Sequence, residues 1–182
     1  MAMNTRQPRQ LPAVWIVSIH DRDPQGRLAF DLQEVLAALG PSVERLMWAV
    51  TAWDVIGEGD QSLDMELQKA RERGLKAIWL SGKVLLSVAE RISQTIDATL
   101  IAAPMDVLGA SSAEELNAVL DIAHLPETRA QLVIEAVDSA FFEVMTKDRK
   151  QVRALKSRFK DVRDEDPERY FLDRHDRRVA TT

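Results

Sequence analysis

A chain of 182 residues, 46% hydrophobic and 29% charged, has the size and polarity of one globular domain with a single core. It contains no cysteine, which excludes a disulfide framework, a thiolate zinc site and a cysteine nucleophile. The net charge of −5 is uneven: 12 Lys and Arg stand against 21 Asp and Glu up to residue 146, and 12 against 8 from residue 147 on, so an acidic body (net −9) precedes a basic end (net +4).

Residues 1–12 carry Pro8 and Pro12 and no periodicity, and read as a flexible lead. AVWIVSI, 13–19, is an apolar, β-branched run closed by HDRDPQG, hence a strand and a turn. The run is too short, and too soon followed by His20 and Asp21, for a secretory signal. No stretch reaches the roughly 18 apolar residues of a membrane span, so the expected location is the cytoplasm. Leu28, Leu32, Val35, Leu36 and Leu39 then recur at helical spacing until Gly40-Pro41.

ERLMWAVTAWDVI, 44–56, reads as a long strand interior to a sheet, with Trp48 and Trp53 on opposite faces. A helix near 62–73 turns Leu63, Leu67 and Ala70 inward and ends at Gly74; LKAIWL, 75–80, is a short buried strand. Ser81 caps the next helix, whose apolar face is Val84, Leu85, Val88, Ala89 and Ile92. IDATLIAA, 96–103, is a strand ended by Pro104, and Ser112 with Glu115 forms a capping box for a helix that buries Leu116, Val119, Leu120 and Ala123.

Strands that alternate with helices in this way predict an α/β fold: a mostly parallel sheet of repeated βα units with helices on its faces. The pattern changes at LVIEAVDSAFFEVMT, 132–146, two β runs around a turn and hence an antiparallel hairpin. A last helix, capped by Asp148, buries Val152, Leu155 and Phe159. One α/β domain over 13–163 is expected, with 164–182 a charged, frayed tail.

The segment DVIGEGDQSLDME, 54–66, holds Asp54, Glu58, Asp60, Asp64 and Glu66 and no cation. GEGDQS falls where a dinucleotide fingerprint would lie, but Ser62 replaces the third glycine and Glu58 and Asp60 would face a pyrophosphate. The acid spacing does not fit a calcium loop, because Ile56 stands where the second ligand belongs. Asp60 and Asp64 suit the positive end of a helix dipole. SGK, 81–83, lacks the remaining residues of a phosphate loop. No pattern calls for a cofactor, and whether a metal binds stays open.

His20, Asp21 and Asp23 follow the first strand and, with a parallel sheet, would share an edge with Asp54; converging, they would make a metal, small-ligand or catalytic site. In the hairpin, a three-residue loop from Asp138 to Ala140 would set Glu135 opposite Glu143. Facing like charges cost on the order of 0.2–1 kcal/mol, which favours a shared proton or a cationic guest; a loop of another length would move the two out of register.

LSGKVLLSVAERISQTIDATLIA, 80–102, and VIEAVDSAFFEVMTKDRKQVRALKSRFKDV, 133–162, resemble segments of uncharacterised bacterial proteins of the toxin-immunity type. The resemblance implies a small acidic cytosolic protein that binds and blocks a toxin, and it brings no catalytic residues. The acidic body points the same way: phosphate contacts need positive charge, which makes nucleic acid an unfavourable ligand, whereas exposed carboxylates speed encounter with a basic protein. The expected partner-binding residues are Asp54, Glu58, Asp60, Glu135, Asp138 and Glu143. The alternative is a small enzyme or ligand binder at the sheet edge, built on His20, Asp21, Asp23 and Asp54.

Overall fold

The computed structural model describes residues 13–57, 60–110 and 112–171. Among them, seven strands form one sheet: β1 (Trp15–Ile19), β2 (Leu46–Gly57), β3 (Ile78–Ser81), β4 (Ile92–Pro104), β5 (Leu132–Val137), β6 (Phe141–Thr146) and β7 (Val162–Glu165). Their order is β3-β2-β4-β5-β6-β1-β7, and every neighbouring pair is antiparallel. The mostly parallel sheet expected from the alternating pattern is therefore not the fold.

The position of β2 explains the difference. Both β3 and β4 pair antiparallel with β2, so they point the same way but are never neighbours. Helix α2 (Asp60–Glu72) packs on β2 and carries the chain from Gly57 back to Ile78, which pairs with Val50. Thirteen helical residues rise roughly 20 Å, and the strand from Val50 to Gly57 spans roughly 23 Å. The helix thus travels back beside β2, and β3 continues in the same direction instead of reversing again.

Helices α1 (Leu32–Leu39), α2, α3 (Gly82–Ala89) and α6 (Arg149–Arg158) share one core with the sheet, around Val17, Trp48, Leu100, Ile134 and Val144. A smaller core on the opposite face joins Ile16, Ala49, Ile101, Val133 and Met145 to α4 (Val107–Ala110), α5 (Ala113–Val119) and the 3-10 turn Ile122–His124. The capping residues read from the sequence do their work: Ser81, Ser112 and Asp148 each accept a backbone N–H at the start of a helix. Asp31 caps α1 and also accepts the N–H of Thr95 at 2.9 Å together with its hydroxyl, which fixes α1 against β4.

Trp48 and Trp53 do not lie on opposite faces. The β2–β4 register shifts between Val50 and Ala52, a bulge that reverses the alternation, and both indoles enter the larger core. Val84, expected to be inward on α3, is 48% exposed, while Ile92 belongs to β4. No helix among the described residues is long and apolar enough to cross a membrane.

Candidate functional site

Residues paired across an antiparallel ladder project to the same face. The register therefore chains Ala52, Thr99, Glu135, Glu143, Ser18 and Arg163 into one row over β2, β4, β5, β6, β1 and β7. One step along the same face, Asp54 of β2 stands opposite Asp97 of β4. Two pairs of facing carboxylates, Asp54 with Asp97 and Glu135 with Glu143, thus occupy four adjacent strands. They lie beside the smaller core, where the alternation that buries Ile101 and Val133 continues into polar positions.

The hairpin loop sets this register. Asp138 and Ser139 take left-handed φ angles of 47° and 51°, and Ala140 N–H donates to Val137 O at 2.7 Å. This is the three-residue loop that the sequence reading needed, and it puts Glu135 opposite Glu143. Left-handed backbone is unfavourable for serine, so the loop needs outside support. It comes from β4: Ser139 N–H donates to Ile96 O at 2.9 Å, and Asp138 N–H to Asp97 Oδ1 at 2.9 Å.

Glu135 is 7% exposed, whereas Glu143 is half-buried and Asp54 and Asp97 are exposed. The Tyr170 hydroxyl, from a helical turn at residues 167–171, lies 2.7 Å from Glu143 Oε2 and 3.1 Å from Glu135 Oε2. A phenol has one proton to donate, so it serves one carboxylate at a time. Beyond β2, Asp64 and Asp54 border a cleft with Trp53 and Val55, and the buried Trp53 indole N–H has no hydrogen-bond partner among the described residues.

Of the residues expected to bind a partner, Asp54, Glu135 and Glu143 share this face, and Asp138 joins it at the hairpin tip through Asp97. Glu58 lies outside the described residues, as does the side chain of Asp60, which opens α2. Asp97 and Tyr170 are the additions. Strict alternation within IDATLIAA marks Asp97 and Thr99 as partners of Ile101 on one face, a signal that a reading of the run simply as a strand leaves unused. Nothing local marks Tyr170, because its contacts are made through the sheet.

The four residues of the alternative site do not converge. His20 stacks on Phe141 with ring centroids 5.1 Å apart. Asp21 accepts the N–H groups of Lys160 and Asp161, and Asp23 holds a turn by accepting the Gln25 and Arg27 N–H groups. Asp54 lies four strand positions from β1, roughly 19 Å away. Among the described residues, no group of three or more His, Asp or Glu side chains is arranged to hold a metal.

Burial, and next to it Arg163, depresses the His20 pKa from 6.5, against the opposing pull of Asp161 and Glu165. A lowered folded-state value means that the unfolded chain binds the proton first, so stability contributed by neutral His20 is present above 6.5 and is lost as the pH falls through the folded value. Thermal melts between neutral pH and about pH 5 are expected to show this loss, and His20→Phe, which keeps the stack on Phe141, should flatten it. An equally steep decline in the variant would remove His20 as the cause.

The chain matches no protein-family model, no curated protein and no solved structure, so neither a family nor a relative bears on the acidic face.

Proposed function

We propose that this chain is a partner-binding protein that docks the acidic face of its sheet onto a basic protein surface. The resemblance of segments 80–102 and 133–162 extends the proposal to a bacterial toxin as the partner and to an immunity-type inhibitor, acting in the cytoplasm, as the chain's role. The observation that carries the reading is the exposed like-charge pair of Asp54 with Asp97 on that face. The pair costs the fold on the order of 0.2–1 kcal/mol. A basic partner reverses that cost by placing cations between the carboxylates, and the field of the face steers it in.

The test joins stability to binding. Asp54→Asn should leave the isolated protein as stable or slightly more so, by up to roughly 1 kcal/mol in urea unfolding. Combined with Asp97→Asn and Glu143→Gln, it should slow association with the product of the neighbouring reading frame by about tenfold at low salt and flatten its dependence on ionic strength, with dissociation changed less. An association rate indifferent both to salt and to the three substitutions would overturn the proposal.

A further inference from the structure

We propose that a cleft at the ends of β2, β4 and β6 binds a small organic acid with an apolar body, its carboxylate seated between Lys147 and Arg45. The site lies away from the acidic pairs, and the inference is independent of the docking reading.

The register sets Leu46 of β2 opposite Pro104 of β4, and Leu132 of β5 opposite Thr146 of β6. These residues mark the end of the sheet opposite the hairpin loop. A cleft of about 550 Å³ opens there, bordered by Arg45, Leu46, Met105, Lys147 and Gln151. That volume is in the range of small-molecule sites.

Two cations face this cleft without a counterion. Lys147, half-buried, donates from Nζ to the Thr128 carbonyl at 2.7 Å and makes no ion pair among the described residues. Burial lowers its pKa from 10.5, as expected of an ammonium that has lost water and gained no anion. Arg45 is exposed, and among the described residues its guanidinium has neither an ion pair nor a hydrogen bond. Asp148 borders the same cleft, but its carboxylate caps α6 by accepting Lys150 N–H at 2.8 Å.

A cation partly withdrawn from water is unfavourable until it is paired. A carboxylate supplies the pair. Lys147 keeps two of its three Nζ donors, and the guanidinium fork of Arg45 matches carboxylate geometry. Gln151, only 8% exposed, accepts the Thr146 hydroxyl and donates to Ser42 Oγ at 3.4 Å, which leaves its second amide N–H for a ligand. Leu46 and the 53% exposed Met105 form an apolar wall beside these donors. The arrangement therefore selects for both a negative charge and an apolar body.

Hexanoate, hexanamide and inorganic phosphate would each be titrated into the full chain, with the Met105 methyl and Gln151 side-chain amide signals as reporters. Hexanoate would be titrated again into Arg45→Gln and Lys147→Met. Expected are saturable hexanoate binding that moves both signals and raises the Lys147 pKa, read from its Cε signal. Hexanamide and phosphate should each bind about tenfold more weakly or worse, and each variant should lower hexanoate affinity about tenfold. The exposed, unbonded side chain of Arg45 lets Arg45→Gln carry the comparison should Lys147→Met fail to fold. Hexanoate that moves neither signal would overturn the proposal. So would hexanamide or phosphate bound as tightly as hexanoate, or an affinity unchanged in the folded variants.

Discussion

Trp48→Ala is expected to lower stability by about 4–5 kcal/mol, seen as a lower urea midpoint at unchanged slope. Trp48 is fully buried near the start of β2, opposite Leu80 on one side and Ala102 on the other. Its indole N–H donates to the Val43 carbonyl at 3.1 Å, inside the 3-10 turn Val43–Arg45 that leads into β2. Alanine would leave a cavity at the junction of β2 with the helical layer and deprive a buried carbonyl of a donor, and the two losses add. Trp48→Phe restores most of the volume but not the donor, and should cost about half as much. A loss below about 2 kcal/mol for Trp48→Ala would mean that neighbouring side chains collapse into the space, and would contradict a core closed around this indole.

Gly82→Ala is expected to cost about 3 kcal/mol or more, although Gly82 is the first residue of α3 and has no left-handed backbone. The obstacle is space. A Cβ at this position would lie 2.1 Å from Val43 O and 2.6 Å from Glu44 Cα, atoms of a backbone that cannot rotate aside. The same carbonyl that receives the Trp48 indole thus also sets how closely α3 approaches the sheet. Gly26 is the natural comparison. Its φ is +82°, but a Cβ there meets nothing within 4 Å, so Gly26→Ala should cost only the backbone strain, roughly 1–2 kcal/mol. Melting temperatures of the two variants measured together would decide the matter. A Gly82→Ala protein no less stable than Gly26→Ala would show that α3 can shift off the turn freely.

The local elements were readable because each rests on contacts within a few residues. The Ser81 and Asp148 caps, the Ser112–Glu115 box and the hairpin stand where the sequence placed them, whereas the loop length, and with it the Glu135–Glu143 register, was open in the sequence and is set by the left-handed Asp138 and Ser139. The sense of the sheet was not readable. Periodicity reports which face of a strand is apolar and says nothing about which strand lies beside it. Alternating strands and helices imply parallel neighbours only when each helix brings the chain back to start again, and α2 instead runs on into β3. With β2 placed between β3 and β4, an alternating pattern yields a wholly antiparallel sheet.

The same limit governed the site. Asp54 and Asp97 are 43 positions apart in the sequence and meet only because β2 and β4 pair over almost their whole length. Tyr170 reaches Glu135 and Glu143 only because β7, in a stretch whose charge suggested a frayed end, docks on β1. Conversely, His20, Asp21 and Asp23 looked functional as a cluster because they are close in sequence, while the fold uses His20 for stacking and the two acids for holding backbone.

The place of β1 has a consequence for synthesis. Ile16 pairs with Met145 on one side and Glu165 on the other, so β1, made before every other described strand, waits for β6 and β7 before either of its edges is satisfied. During that interval β2, β3 and β4 can already assemble, since their partners are nearby in the chain, while WIVSI stays an unclaimed apolar segment. A ribosome stalled before residue 162 would hold a chain whose β1 is an open edge, and such edges invite pairing with other chains. For this protein the hazard of aggregation falls in the interval, on the order of ten seconds at about 5–20 residues per second, in which β1 has emerged and β6 and β7 have not.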